Sequence, residues 1–188
     1  MPNWCNNNIE IVGPRDKIRA IWDTARECEG LLNAMGPMPE ALGTTVKGSG
    51  DEAQTELHDG FTNWYDWAVA RWGTKWDVSL EGLEYTDNED GTATISGWFD
   101  SAWAPPVDAI RTYGESNTDV SITLDYHEPG CCFVGRATVE AGELEDDYVE
   151  YTDLDSTTVR DAIGSELDDL WAISENMAQY EAENEEDA

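Results

Sequence analysis

Polar and apolar residues alternate along Asn8-Ile9-Glu10-Ile11-Val12, and Gly13-Pro14 halts the run, which predicts a short strand and a turn. The period then changes. Ile18, Ile21, Trp22 and Ala25 recur at helical spacing after Pro14, so a helix runs to about Glu29 and stops at Gly30. Residues 31–60 carry Met35-Gly36-Pro37-Met38-Pro39 and Lys47-Gly48-Ser49-Gly50-Asp51 and read as a long inserted loop. Phe61, Trp64 or Tyr65, Ala68 and Trp72 share a helical face that Gly73 caps. Period two returns from Trp76 to Tyr85, and again from Thr92 to Phe99 after the turn Asp87-Asn88-Glu89-Asp90-Gly91, which predicts a hairpin. Beyond Pro105-Pro106, Val107, Ile110 and Tyr113 mark a helix ending at Gly114. Val120 to Tyr126 is a further strand, Glu128-Pro129-Gly130 a turn and Cys132 to Val139 another strand, so residues 131–151 extend the sheet by a hairpin.

With the insertion set aside, the order from residue 8 to 126 is β-α-β-β-α-β. That is the split βαβ pattern of an α+β, ferredoxin-like fold: an antiparallel sheet with helices on one face. The expected organisation is a domain over residues 1–140 with an insertion at about 31–72, then an acidic strand and helix extension over 141–180 packed on it. Residues 181–188 are expected to form a disordered acidic tail.

Charge changes the picture. Ten basic residues face 41 acidic ones, a formal net charge of −31 at pH 7. Such a chain repels phosphate backbones and anionic lipid, so direct nucleic-acid or membrane binding is not expected. Residues 140–188 hold 18 of the acids and a single base, Arg160. Within them Val159, Ile163, Leu167, Leu170, Trp171, Ser174 and Met177 keep a helical stripe, with Ser156 or Thr157 placed to cap its start. That helix either docks on the domain or makes a homodimer.

Three runs carry a resemblance: Met1-Pro2-Asn3-Trp4-Cys5-Asn6-Asn7, then Trp64-Tyr65-Asp66-Trp67 with Trp72-Gly73-Thr74-Lys75-Trp76-Asp77, then Phe99-Asp100-Ser101-Ala102-Trp103-Ala104-Pro105-Pro106. Over roughly residues 1–126 they resemble the YubB-like ferredoxin-like domain family of phages, prophages and plasmids. The resemblance implies that fold and a mobile-element origin, and it implies no catalytic residues; the acidic tail departs from the pattern.

Candidate chemistry is sparse. The tryptophan cluster of Trp64, Trp67, Trp72, Trp76, Trp98 and Trp103, with Arg71, Lys75 and Asp77 beside it, is either a stacking platform for a small ligand or nucleotide, or a tryptophan-built core. His127, Cys131 and Cys132, joined by Cys5, are metal-capable, yet the vicinal pair and the lack of any CxxC argue against zinc. Only His58 and His127 are available to activate a thiol, so no enzyme is expected, and no cofactor motif is present. The N-terminus has no signal-peptide pattern and no run is apolar enough for a membrane helix, so a cytoplasmic protein with reduced thiols is expected.

The expected role is that of a non-enzymatic accessory protein binding a host protein with a basic surface. Its acidic surface is assigned to Glu143, Glu145, Asp146, Asp147, Glu150, Asp153, Asp155, Asp161, Glu166, Asp168 and Asp169. These carboxylates either mimic DNA phosphates, which lie ~7 Å apart along a strand, to inhibit a host defence enzyme, or are part of an overall adaptation to a salty host.

Overall fold

The computed structural model describes residues 3–46 and 58–186. Six strands and eight helices follow in the order β1 (Trp4–Pro14), α1 (Arg15–Cys28), α2 (Leu31–Met35), α3 (Glu40–Gly43), α4 (Trp64–Trp72), β2 (Leu83–Asp87), β3 (Thr92–Ala102), α5 (Val107–Ser116), β4 (Ser121–Glu128), β5 (Phe133–Glu140), β6 (Glu143–Glu150), α6 (Val159–Ile163), α7 (Ser165–Trp171) and α8 (Ile173–Glu186). The strands form one antiparallel sheet ordered β2-β3-β1-β4-β5-β6. Its first four positions are the split βαβ arrangement that the sequence predicts, and the β5–β6 hairpin extends the β4 side.

Strand alternation separates two cores. Cys5, Asn7, Ile9 and Ile11 of β1 point to one face with Ile95 and Phe99 of β3 and Ile122, Leu124 and Tyr126 of β4. Helices α1, α4 and α5 close that face through Ile18, Ile21, Trp67, Trp72, Ala109 and Ile110. The acidic extension covers the opposite face at the β4–β6 end, where Val134 meets Tyr151, Val159, Ile163, Leu167 and Ile173. Over β1 and β3 that face is less covered: Trp4 and Trp98 stay exposed, with Trp171 of α7 packed against Trp98.

Several elements differ from the sequence reading. β1 begins at Trp4 rather than Asn8, because the asparagine run is paired on both sides, with β3 and β4. The insertion is not a structureless loop: α2 and α3 bury Leu31, Leu32 and Leu42, while 47–57 lie outside the described residues. Residues 76–82 are not strand despite their period. The Asp77 carboxylate instead accepts from the backbone N–H groups of Leu32 (2.7 Å), Asn33 (3.0 Å) and Val78 (2.8 Å), capping α2.

The single tail helix is three helices. Gly164 (φ 83°) ends α6, and Ala172 (φ 52°) ends α7 in the left-handed region, where the chain turns back on itself. Neither Ser156 nor Thr157 caps α6: Thr158 is its N-cap, without a side-chain cap bond, and the Asp155 carboxylate accepts from the N–H groups of Thr157 and Thr158, both at 3.0 Å, in the turn before the helix. Beyond Tyr180, α8 runs on to Glu186. Glu181 accepts from the Ser156 N–H (3.0 Å) and hydroxyl (2.6 Å), which ties α8 to the loop after β6.

Candidate functional site

β6 is a sheet edge made of Glu143-Leu144-Glu145-Asp146-Asp147-Tyr148-Val149-Glu150. Alternation sets Glu143, Glu145 and Asp147 in one exposed row, on the face that α6–α8 occupy, and turns Asp146 and Glu150 to the other. Asp161 of α6 and Glu166 of α7 continue the row across a recess that Asp147 also lines. The basic groups beside it are already held. Arg136 lies between Asp125 and Glu166 (2.7 Å), and Arg160 between Asp168 and Asp169 (2.8 Å).

Not every expected member of this surface is free to meet a partner. Asp168 is only 2% exposed, contrary to its assignment: it accepts from the Ser174 N–H (2.8 Å) and hydroxyl (2.7 Å) and joins α7 to α8. Those donors and Arg160 outweigh burial and hold its carboxyl below the usual range. Asp146 accepts from the Tyr126 hydroxyl at 2.7 Å, and Asp155 closes the turn before α6. Glu143, Glu145, Asp147, Glu150, Asp153, Asp161, Glu166 and Asp169 are exposed.

The expected tryptophan platform does not assemble. Trp67 and Trp72 are buried edge to face at 5.3 Å, and Trp72 Nε1 donates to the Gly36 carbonyl at 2.9 Å, so both are core. Trp64 packs half-buried against that core, and Arg71 lies over Phe61 at 5.7 Å. Trp76 remains outside, tilted against Trp4 at 6.1 Å, with Lys75 Nζ 4.2 Å from its ring centre; Trp103 is exposed. Asp77, placed beside the cluster by the sequence, is the α2 cap.

A different aromatic surface lies on the open part of the sheet. Alternation places Trp4, Asn6 and Asn8 of β1 there beside Trp98 and Asp100 of β3. Asn6 Nδ2 donates to Asp100 Oδ1 at 2.8 Å. Trp98 is 46% exposed and meets Trp171 of α7 at right angles, 89° with ring centres 5.2 Å apart. Asn6, Trp98, Asp100 and Trp171 line a cleft of about 390 Å³. Beneath, Asn7 Nδ2 donates to the Cys5 and Phe99 carbonyls (2.8 and 3.3 Å) and to Ser101 Oγ (2.9 Å), while Thr74 Oγ1 donates to the Ala102 carbonyl at 2.9 Å. The described parts of the first, second and third resemblance runs therefore meet at one end of the β1–β3 ladder.

The model of the ferredoxin-like domain in Api92-like proteins matches residues 73–186, more than half of the chain. The chain belongs to that family. The Api92-like segment runs from the end of α4 to the last turn of α8, and β1 and α1 lie before it although β1 is central to the sheet. The crystal structure of a protein Api92 from Yersinia pseudotuberculosis is similar with a TM-score of 0.37 and 20% identity, over 50% of this chain and 32% of that one. The chain thus spans about a third of that protein's length. No curated protein matches the sequence.

The Api92-like segment also builds a larger cavity, about 620 Å³, between α8 and the loop after β6. Tyr151, Leu154, Ile173, Met177 and Tyr180 make it apolar, and His127 and Cys132 reach its wall. Burial pushes His127 down to about 4 against the opposing pull of Glu128, so the ring is neutral at physiological pH. Its Nε2 shares a 2.7 Å hydrogen bond with the Tyr151 hydroxyl. The suggested zinc ligands are not gathered: among the described residues no three of His, Cys, Asp and Glu form a metal-holding group. Cys5 is buried on the α1 face of the sheet while His127 points to the other, and burial raises the Cys5 thiol to about 12. Among the described residues no helix is long and apolar enough to cross a membrane.

Proposed function

We propose that this Api92-like domain is a binding protein for a partner with a basic surface, engaged through the acidic edge of its sheet. The observation that carries the reading is the row Glu143, Glu145 and Asp147 continued by Asp161 and Glu166, with Arg136 and Arg160 already neutralised. Alternate residues of a strand lie about 6.6 Å apart, close to the phosphate spacing of one DNA strand, so the row suits a nucleic-acid channel better than a dispersed acidic shell would. On this reading of the charge the partner is a nucleic-acid-handling enzyme of the host, and the setting is the mobile element that the resemblance to YubB-like proteins implies. An edge strand lined with carboxylates also blocks strand-to-strand association, a role compatible with partner binding.

The test compares the full chain with the triple variant Glu143→Gln, Glu145→Gln, Asp147→Asn. Retention of an identified basic enzyme from host extract, competed by duplex DNA and lost as salt rises from about 50 to about 300 mM, is the expected result for the full chain. The triple variant should retain at least about tenfold less. Equal retention by both proteins, or retention indifferent to salt, would reject this surface.

A further inference from the structure

We propose that the cleft between Trp98 and Trp171 is an anchor pocket for a guanidinium group, the side chain of an arginine on the basic partner. This deepens the proposed function and rests on the partner being a basic protein, but the pocket is built from residues other than the carboxylate row. Two indoles at right angles form an open corner, and each ring face presents the negative side of its quadrupole. Asp100 lines the same cleft and is itself exposed. Asn6 donates to its Oδ1, which fixes the carboxylate and leaves Oδ2 for a ligand; among the described residues no basic group pairs with it.

The chemistry selects the ligand. A planar guanidinium stacks on an indole and still presents N–H groups in its plane to a carboxylate, which a round ammonium cannot do equally well. A phosphate or carboxylate would be repelled both by Asp100 and by a chain of net charge −31. Among the described residues no free cation stands behind the pocket to oppose an arginine. His127, in ring contact with Trp171 at 5.6 Å, is neutral, and Arg136 is bound by Asp125 and Glu166. The Trp171 indole N–H is buried without an acceptor in the structure, so ring rotation on ligand binding breaks no existing hydrogen bond. Trp98, half exposed for so large an apolar side chain, gains burial when the corner is filled.

The experiment follows the indole N–H signals of the nitrogen-labelled full chain by NMR, with Trp98→Phe and Trp171→Phe used only to assign them. The probe is a short blocked peptide, acetyl-Gly-Gly-Arg-Gly-Gly-amide, against the same peptide with citrulline, a neutral isostere. The expected result is a saturable shift of the Trp98 and Trp171 signals with the arginine peptide, weakened about tenfold or more for citrulline and for Asp100→Asn with arginine. Equal shifts with citrulline, an Asp100→Asn protein that binds like the unmodified chain, a response confined to other tryptophans, or no response would each overturn the pocket. The citrulline comparison uses the unmodified protein, so it does not depend on any variant folding.

The triple variant at β6 separates the two readings. It should lose the basic enzyme yet keep the arginine-peptide shift within about twofold, because its carboxylates do not line the cleft. Salt-sensitive capture of the enzyme without any peptide shift would leave the acidic edge standing and remove the pocket. A peptide shift without capture would do the reverse.

Discussion

His127 shows how one buried side chain gives the protein a pH dependence. Its ring packs between Tyr151 and Trp171, across the β1–β4 ladder from Asn6, and the Glu128 carboxylate is the charged group beside it. Folded, it titrates at about 4 rather than 6.5, so between these values the unfolded chain binds more protons than the folded one. Stability is therefore complete above pH 6.5 and is lost as pH falls toward 4, by at most about 3 kcal/mol. His127→Gln cannot titrate. The difference in urea midpoint between the two proteins should change across that window and be constant above it; parallel curves would mean that the ring is not buried neutral. In the sequence this residue is metal-capable beside cysteines whose spacing argues against zinc, and no local pattern shows that it is buried.

At the scale of elements, α2 is capped by Asp77, 45 residues away from the Leu32 N–H whose hydrogen bond it accepts. Burial pushes this carboxyl up while three backbone N–H groups pull it down. Gly30, in extended backbone, lies so close that an added Cβ would sit 2.1 Å from Asp77 Oδ2. Gly30→Ala should cost about 1–3 kcal/mol in the unmodified chain. The cost should be much smaller when Asp77→Ala has removed the carboxylate, and a double-mutant cycle in urea checks this: additive effects would contradict the contact. The period-two run from Trp76 to Tyr85 predicted a strand there because alternation does not report that a carboxylate in its middle has another use. Helices α1 and α5, by contrast, were legible because Ile18, Ile21 and Ala25, and Ala109 and Ile110, bury a stripe at helical spacing without outside help.

For the whole molecule, the acidic extension is not an appendage to an independent domain. It completes the β4–β6 end of the sheet and buries its own core, including Leu167 and Ile173. Cutting the chain after Glu140 would strip β6 from β5 and uncover Val134, so charge-neutralising substitutions are the cleaner probe of the acidic edge. Leu167→Ala should lower stability by about 2–4 kcal/mol, measured by chemical denaturation, whereas a helix loosely laid on the surface would lose well under 1 kcal/mol. A net charge of −31 also means self-repulsion in the folded state. The melting temperature should rise by several degrees from about 10 mM to about 500 mM sodium chloride. A flat profile would argue that the ion pairs around Arg136 and Arg160 already offset that repulsion.

The order of strands and helices, and with it the ferredoxin-like class, follows from the sequence by itself, because buried faces impose periods of 2.0 and 3.6 on the residues that make them. The excess of acid and its concentration after residue 140 are also sequence properties. Tertiary structure alone decided which face the extension covers, which carboxylates stay exposed and which, like Asp168, become internal partners. It decided too that Trp67 and Trp72 are core while Trp4 and Trp98 stand on an open sheet. Alternation along β3 contains the hint that Trp98 and Asp100 share a face opposite Ile95 and Phe99. Nothing local brings Trp171, 73 positions later, to meet Trp98. That contact depends on the second core against which Trp171 packs, and so on packing between segments far apart in the chain.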